Sequence, residues 1–274
     1  MRAWKMNGTG NAFLLLDQRA VATPREPDEN LVRSWAQQHG FDQLIWLGPD
    51  TNSDARLRFW NRDGGEVGAC GNGTRAAGWH VMQSDQTQNA SLHADGGRLL
   101  TREAGPMNIT VDMGEPRLDW PSIPLARAME TQKLDFSVEH QGYRVCDPGA
   151  VNMGNPHVVF FIDDMDALPI EGLGALIETH PLFPERVNVG FAHIRSPGEM
   201  RLRVFERGTG VTLACGTGAC AALVAAHRRG LTERTVRIEA DGGWLSVDWN
   251  TTSNHIHLTG EVEREESVEL NWET

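Results

Sequence analysis

The chain has 274 residues and carries 25 Lys and Arg against 37 Asp and Glu, a net charge of −12. Because basic residues form no cluster, this balance argues against nucleic acid and anionic membranes as partners. Apolar residues make up 40% and charged residues 23%, so we expect a globular protein, and the length suggests two domains. The longest apolar run, at 219–226, is too short to cross a bilayer, and no secretory stretch begins the chain, so we expect a cytoplasmic location.

Short runs of β-branched or apolar residues between turn residues predict strands in the first part of the chain. These runs are, in order, Phe13–Leu16, Leu44–Leu47, Arg56–Trp60, Leu99–Thr101 and Asn108–Asp112. Three other stretches predict helices. The first covers Leu31–His39, and the second begins at Gly71. The third runs from Gly216 to Arg229, and Gly230 is the residue that stops it. The third helix is almost entirely small and apolar, so we expect it to be buried on most of its surface.

The sequence contains a duplicated unit. Residues 58–77 align without a gap on residues 203–222 with nine identities in 20 positions, and three shorter motifs recur in the same order at spacings of 144 to 146. This repeat predicts an α+β fold of two pseudo-symmetric repeats. Each would be a mostly antiparallel sheet or barrel wrapped around a central helix, with the active site in the cleft between the repeats. The predicted division is an N-terminal repeat at 1–117, a crossover segment at 118–148, a C-terminal repeat at 149–264, and a tail at 265–274 that returns to the N-terminal repeat or the surface.

Two of the four cysteines, Cys70 and Cys215, fall at the starts of the two central helices, each within a Cys-Gly-x-Gly motif. The first turn of a helix has N–H groups without intrahelical partners and a partial positive charge, which favours a thiolate there. Glycines let a carboxylate approach these N–H groups closely. Each motif therefore predicts an anion site beside a reactive sulfur, whereas Cys146 and Cys220 are expected to be inert.

A substrate held by one carboxylate between two such motifs would have a sulfur on either side of its α-carbon. One thiolate would then remove the α-proton, and the other thiol would return a proton to the opposite face. Converging N–H groups would stabilise the charge that develops on the carboxylate, so no cofactor is needed. The sequence also predicts no metal site, because it has no Cys-x₂-Cys pair, and Lys5 and Lys133 are the only Schiff-base candidates.

The chain resembles diaminopimelate epimerase, a family that works without pyridoxal phosphate. The resemblance runs nearly end to end and rests on seven ordered motifs: Met6–Phe13, Gly40–Gln43, Asn61 with Asp63-Gly64, Ala69–Gly73, Met153–His157, Arg186–Phe191, and Phe205–Gly208 before Ala214–Cys220. It implies two pseudo-symmetric domains and interconversion of LL- and meso-2,6-diaminopimelate, in lysine and peptidoglycan-precursor biosynthesis. It also implies that Cys70 and Cys215 are the catalytic base and acid.

The resemblance assigns the other site residues position by position. The reacting end of the substrate would be bound by Asn11, Gln43, the amides of Gly71 and Asn72, the amides of Gly216 and Thr217, and Glu206 on the ammonium. The distal amino-acid group would be bound by Asn61, Asn155, Asn188 and Arg207, with the Arg207 guanidinium on its carboxylate. His157 is expected near a reactive sulfur as an auxiliary proton partner.

The sequence departs from the family pattern at four positions. Asn7, Ala12 and Phe205 stand where the family usually has His, Asp and Tyr, and Ala76 stands where it commonly has Cys. These changes leave both catalytic sulfurs and the substrate-binding positions in place. We expect them to alter local packing and hydrogen bonding near the site more than the reaction.

Three other readings stay open from the sequence. They are a racemase of another amino acid on the same cysteine pair, a thiol redox or ligand-binding protein without turnover, and an isomerase that moves its proton through Glu or Asp. The expected partner is a small amino-acid substrate, and a homodimer is compatible with the tryptophans Trp4, Trp46 and Trp249. Because both cysteines lie in similar settings, either one is a candidate to take the proton from a given stereoisomer.

Overall fold

The computed structural model describes residues 1–68 and 70–272. Its strands are β1 (Arg2–Gly8), β2 (Asn11–Asp17), β3 (Gln43–Gly48), β4 (Ala55–Asn61), β5 (Glu66–Val67), β6 (Asn89–Ala94), β7 (Gly97–Gly105), β8 (Asn108–Asp112), β9 (Ser137–His140), β10 (Tyr143–Cys146), β11 (Gly149–Asn152), β12 (Pro156–Phe161), β13 (Asn188–Ser196), β14 (Glu199–Glu206), β15 (Gly210–Thr212), β16 (Thr235–Ala240), β17 (Gly243–Trp249), β18 (Ile256–Glu261) and β19 (Glu263–Glu269). The helices are α1 (Glu29–His39), α2 (Gly71–Asp85), α3 (Ile170–Glu178) and α4 (Gly216–Arg228).

The chain forms two compact units. Unit 1 comprises Met1–Asp112 with Thr259–Thr274, and unit 2 comprises Met113–Leu258. The predicted crossover at 118–148 is therefore part of unit 2, and residues 259–264 belong to unit 1. Ala69 of the first cysteine motif and residues 273–274 of the predicted tail lie outside the described residues.

The last part of the chain is held in unit 1 by backbone pairing. Strand β19 pairs antiparallel with β1, and the Leu270 N–H donates to the Met1 carbonyl at 2.6 Å. Beyond the strand, Trp272 packs edge-on against Trp35 of α1 with the ring centroids 5.2 Å apart. The Thr259 hydroxyl also lies 2.7 Å from that of Thr110 in β8. Because these contacts are all within unit 1, the compact unit and the sequence repeat end at different residues.

Both units have the same order of strand pairing. In unit 1, β1–β2 are antiparallel, β2–β3 parallel, β3–β4 antiparallel, β4–β6 parallel and β6–β7 antiparallel. In unit 2, the pairs β11–β12, β12–β13, β13–β14, β14–β16 and β16–β17 repeat that series. The α+β class and the duplication predicted from the sequence are confirmed.

Each unit packs one central helix into its core. In α4, the residues from Gly218 to Ala226 are all buried, and the helix is followed by Gly230 in the left-handed region at φ 69°, as predicted from the sequence. In α2, the residues from Asn72 to Met82 are buried. These two helices are the scaffold on which both cysteines are presented, since each cysteine immediately precedes one of them.

Helix α1 begins two residues before the predicted start. Its N-cap is Asp28, whose carboxylate accepts from the Leu31 N–H at 2.9 Å, and Gly40 ends it in the left-handed region. Helix α3 was not predicted. It lies between β12 and β13, just as α1 lies between β2 and β3, so it is the repeat counterpart of α1.

Within residues 1–68 and 70–272, no helix has the length and apolar character needed to span a membrane.

Candidate active site

Cys70 and Cys215 are the N-cap residues of the two central helices. Each has extended backbone, with φ −146° at Cys70 and φ −125° at Cys215. Each sulfur accepts a hydrogen bond from the backbone N–H three residues later, at 3.3 Å from Gly73 and 3.4 Å from Gly218. Since an N-cap side chain normally uses oxygen for this bond, the two sulfurs occupy the place where a helix stabilises negative charge best.

The second glycine of each motif is required by packing as well as by ligand access. A Cβ on Gly73 would lie 2.6 Å from the Phe59 ring and 3.4 Å from the Cys70 sulfur. On Gly218, a Cβ would lie 3.0 Å from Val204 and 3.3 Å from the Cys215 sulfur. These glycines let a side chain of β4 or β14 press against the first turn while their N–H groups bind sulfur.

In unit 1, the predicted polar residues form two pairs. The Asn72 amide donates to Asn11 Oδ1 at 2.5 Å, so the first turn of α2 is tied to the start of β2. The Gln43 amide donates to Asn61 Oδ1 at 2.9 Å, and the two residues are opposite each other in the antiparallel pair β3–β4. The Asn72 Oδ1 atom is buried and finds no hydrogen-bond donor among the described residues.

The pairing of Gln43 with Asn61 bears on the roles inferred from the family. The resemblance assigned Gln43 to the reacting end of the substrate and Asn61 to its distal end. The structure places their side chains in direct contact. If both bind substrate, they contact neighbouring parts of it.

In unit 2, three predicted residues form a chain of contacts that leads to the second sulfur. The Thr217 hydroxyl lies 3.5 Å from Cys215 Sγ and 3.1 Å from His157 Nε2. His157 Nε2 also lies 3.0 Å from Asn155 Oδ1. The His157 ring is fully buried, and its Nδ1 has no hydrogen-bond partner within the described part of the chain. His157 therefore reaches the sulfur through Thr217.

Asn188 and Arg207 are adjacent, but they differ in exposure. The buried Asn188 side chain accepts from the Arg207 backbone N–H and donates to the Pro156 carbonyl, both at 2.9 Å. The Arg207 side chain is exposed and donates to the Glu185 carbonyl at 3.0 Å. Asn188 thus orients the β14–β15 turn that carries Arg207.

Glu206 lies where the same β14–β15 turn begins, near the second cysteine. Its carboxylate accepts from the Thr212 hydroxyl at 2.6 Å. Sequence reasoning missed a second acidic residue, Glu178, which is buried at the end of α3 and accepts from the Gly208 N–H at 2.7 Å. Because α3 was not predicted, no sequence signal connected Glu178 with this turn.

The electrostatic environment of Cys215 differs from the sequence expectation. Burial, followed by the negative charge of Glu206, raises the pKa of the Cys215 thiol well above its usual value, although hydrogen bonds from Thr217 and Gly218 oppose the shift. The helix start therefore does not make Cys215 a thiolate. Burial, helped by the Arg207 charge, lowers the pKa of His157 to about 3, so this imidazole is neutral near pH 7.

The four departures from the family pattern have local structural roles. Asn7 caps the β1–β2 turn by accepting from the Gly10 N–H at 3.1 Å, and the Ala12 N–H donates to the Asp42 carboxylate at 3.0 Å. Ala76 is fully buried in the core of unit 1. Phe205 packs against α3, where a Cβ on Gly174 would lie 2.3 Å from its ring.

Among the described residues, no group of three or more His, Cys, Asp and Glu side chains is arranged to hold a metal ion. Within each unit, a cysteine sulfur and the N–H groups of a helix start lie together, an arrangement that favours binding of a carboxylate beside sulfur.

Comparison with known proteins identifies the relatives of this chain. Its sequence is 51% identical to the diaminopimelate epimerase of Phenylobacterium zucineum, over 93% of this chain and 92% of that protein. It is 46% identical to the diaminopimelate epimerase of Caulobacter sp. (strain K31), over 95% of this chain and 94% of that protein. The fold is similar to that of a hydroxyproline epimerase from Agrobacterium vitis with bound trans-4-OH-L-proline, at a TM-score of 0.69 and 15% identity over 98% and 90% of the two chains.

The sequence pattern of the diaminopimelate epimerases matches residues 3–118 and 149–265, which include both cysteine-capped helices. This pattern covers most of the chain, and the two relatives share about half of their residues with it over nearly their whole length. The chain therefore belongs to the diaminopimelate epimerase family.

Proposed function

We propose that this isomerase interconverts LL- and meso-2,6-diaminopimelate by moving a proton between the two faces of one α-carbon. The observation that carries the proposal is the repeated geometry of Cys70 and Cys215, each the N-cap of a central helix in one of two units with the same strand pairing. The high identity to proteins named diaminopimelate epimerase supports the substrate.

The reaction needs one sulfur in each protonation state. A thiolate removes the α-proton and becomes a thiol, while the opposite thiol gives its proton to the other face of the carbanion and becomes a thiolate. The product has inverted configuration at that carbon, and the total number of protons is unchanged. The high pKa of Cys215 supports its starting as the thiol in the protein without substrate.

The substrate carboxylate needs donors, because negative charge grows on it as the α-proton leaves. The first N–H groups of a helix have no intrahelical acceptor. Since Gly73 and Gly218 donate to the sulfurs, the N–H groups earlier in each first turn are the ones that suit a ligand: Gly71 and Asn72 in α2, Gly216 and Thr217 in α4. The buried Asn72 Oδ1 adds an acceptor for an ammonium.

The distal amino-acid group of the substrate carries both charges, so its binding requires a cation and several amides. Arg207 suits the distal carboxylate, because a guanidinium binds a carboxylate through two parallel hydrogen bonds. The amides of Asn61 and Asn155 complete this proposal, and Asn188 acts by orienting the turn that carries Arg207. Glu206 suits the ammonium next to the reacting carbon.

The cytoplasmic location and the homodimer considered from the sequence stay predictions. The chemistry favours a reducing compartment, since it needs reduced sulfur at both cysteines.

The proposal is tested by NMR in deuterium oxide with LL-diaminopimelate and no added cofactor. We expect loss of the α-proton signal together with formation of the meso isomer. The variants Cys70→Ser and Cys215→Ser should lose nearly all inversion. The matched controls Cys146→Ser, exposed in β10, and Cys220→Ser, buried within α4, should keep it. Full inversion by either Cys70→Ser or Cys215→Ser would contradict the two-base reaction.

A further inference from the structure

The repeat pairs each residue around the first cysteine with one around the second. Of the pairs within residues 58–77 that differ in charge, two involve a charged side chain that is not exposed. At the offset of 145 that aligns Cys70 with Cys215, Asn61 corresponds to the acidic Glu206. At the same offset, the basic Arg75 of α2 corresponds to Cys220 of α4. Unit 1 also carries the acidic Asp63 and Glu66 where unit 2 has the neutral Gly208 and Val211, but both carboxylates are exposed, and Glu66 is paired with Arg58. Among side chains that are not exposed, the two differences therefore make unit 1 the more positive.

Arg75 is an unusual residue for the interior of a helix core. It is fully buried, and it donates a hydrogen bond of 2.6 Å to the Thr9 hydroxyl. Arginine is rarely buried to this degree, because removing its charge from water is costly. Because water screens a buried cation only weakly, its charge acts strongly on ionisable groups nearby.

The position of Arg75 in α2 directs its side chain toward the first turn of that helix. A side chain in a helix points toward the N-terminus and covers the preceding turn, which for Arg75 is the turn that begins at Gly71. Its partner Thr9 follows Gly8, and a Cβ on Gly8 would lie 3.4 Å from the Asn72 carbonyl. The helix geometry and the approach of Gly8 to Asn72 both indicate that this positive charge faces the turn that Cys70 caps.

In unit 2, the equivalent position holds no cation. Cys220 is fully buried among the alanines of α4. Glu206 instead supplies a negative charge near Cys215. Both differences between the repeats act in the same direction, since a cation stabilises a thiolate and an anion destabilises it.

We propose that Arg75 is a positioning residue that keeps Cys70 as the thiolate of the pair, while Glu206 keeps Cys215 as the thiol. This inference rests on the proposed function, because it assigns the starting protonation state of the two sulfurs in that reaction. The resting protein is then ready for the isomer whose α-proton faces Cys70. The opposite isomer reacts with the form in which the proton has moved from Cys215 to Cys70.

The test measures sulfur reactivity without substrate, so it does not depend on turnover. The protein is treated with limiting iodoacetamide at pH 7, and alkylation at each cysteine is followed by peptide mass spectrometry. Arg75→Gln removes the charge but keeps a donor for Thr9, and Arg75→Lys keeps the charge. Cys146, exposed in β10, is the internal reference for reagent and pH.

We expect Arg75→Gln to slow alkylation of Cys70 about tenfold or more relative to Cys146, because loss of a nearby opposite charge shifts a pKa by about one unit or more. Arg75→Lys should retain most of the wild-type rate, and Cys215 should be unaffected by either change. An unchanged Cys70 rate in folded Arg75→Gln would overturn the proposal. Equal slowing by Lys and Gln would also overturn it, because the effect would then not follow the charge.

A second variant tests the same asymmetry if Arg75→Gln does not fold. Asn61→Glu gives unit 1 the acidic residue that unit 2 has at this position, at a half-buried site at the end of β4. It should slow Cys70 alkylation severalfold relative to Cys146, and an unchanged rate would count against the proposal. If the wild-type protein failed to invert diaminopimelate yet showed these rate changes, the proposed function would fail and the charge asymmetry would stand.

Discussion

Thr217→Val tests the contact chain that leads to Cys215. Valine has nearly the shape of threonine but lacks the hydroxyl that lies 3.5 Å from Cys215 Sγ and 3.1 Å from His157 Nε2. His157 would keep its contact with Asn155 at 3.0 Å, so the ring should stay in place. The change therefore removes mainly the hydroxyl that donates to Cys215 when its sulfur is a thiolate.

The size of the effect follows from the charge on the acceptor. A hydrogen bond to a charged group contributes about 1.5–3 kcal/mol, and the long contact to Cys215 favours the lower end of that range. A loss of about 1.5 kcal/mol corresponds to about a tenfold change in the population of the Cys215 thiolate. The direction is defined, because the Thr217 bond lowers the pKa of Cys215, so its loss should make the thiolate rarer.

Two measurements on Thr217→Val report this loss. Alkylation of Cys215 in the protein without substrate should slow about tenfold, in line with the reduced thiolate. The kcat/KM values for LL- and meso-diaminopimelate should fall by one common factor, because their ratio is set by the equilibrium between the isomers. Thr217→Ser is the matched control, since it keeps the hydroxyl. Its alkylation rate at Cys215 and its kcat/KM values should stay near those of the wild type.

The reasoning would be refuted by a Val variant that alkylates at Cys215 as fast as the Ser variant. A rise in KM with unchanged alkylation would mean that the hydroxyl contacts substrate rather than sulfur. Circular dichroism of both variants provides the check on folding.

Two further predictions concern stability. Gly73→Ala should lower the free energy of unfolding by about 1–3 kcal/mol, because its Cβ would lie 2.6 Å from the buried Phe59 ring, whereas Gly218→Ala, at 3.0 Å from Val204, should cost less than about 1 kcal/mol. Urea titration of both variants measures this, and an equal cost would contradict the packing argument. His157 has a folded pKa of about 3 against 6.5, so the unfolded chain binds the extra proton between these values. The contribution of the neutral His157 side chain to the free energy of unfolding is complete above pH 6.5. It is lost on acidification toward pH 3, at up to about 1.4 kcal/mol per pH unit. In His157→Gln, urea midpoints measured over that range should therefore fall less steeply with acid, and an unchanged slope would argue against the buried neutral imidazole.

Part of the fold was predictable because its signals are local. Helix α4 is indicated by a run of small apolar residues, a basic last turn and Gly230 after its end. The strands β2, β3, β4, β7 and β8 were predicted from short apolar runs between turn residues. The duplication was visible because a repeat is a property of the sequence itself.

Helix α3 shows the limit of local signals and the use of the repeat. Its N-cap, Pro169, makes no side-chain hydrogen bond, so the usual polar start signal is missing. Its position between β12 and β13, equivalent to that of α1, could have been predicted by extending the duplication beyond the aligned motifs. With α3 unpredicted, the bond from Gly208 to Glu178 was also missed.

The sequence by itself determined the family and the two cysteine motifs at helix starts, and it supplied the candidate polar residues of the site. Only the tertiary structure decided their environment: that Gln43 binds Asn61, that His157 reaches the sulfur through Thr217, and that Cys215 is buried beside Glu206. The physical reason is that helix caps and turns depend on neighbours along the chain. Desolvation and charge at a sulfur depend instead on side chains brought in from distant strands, whose distances no local pattern specifies.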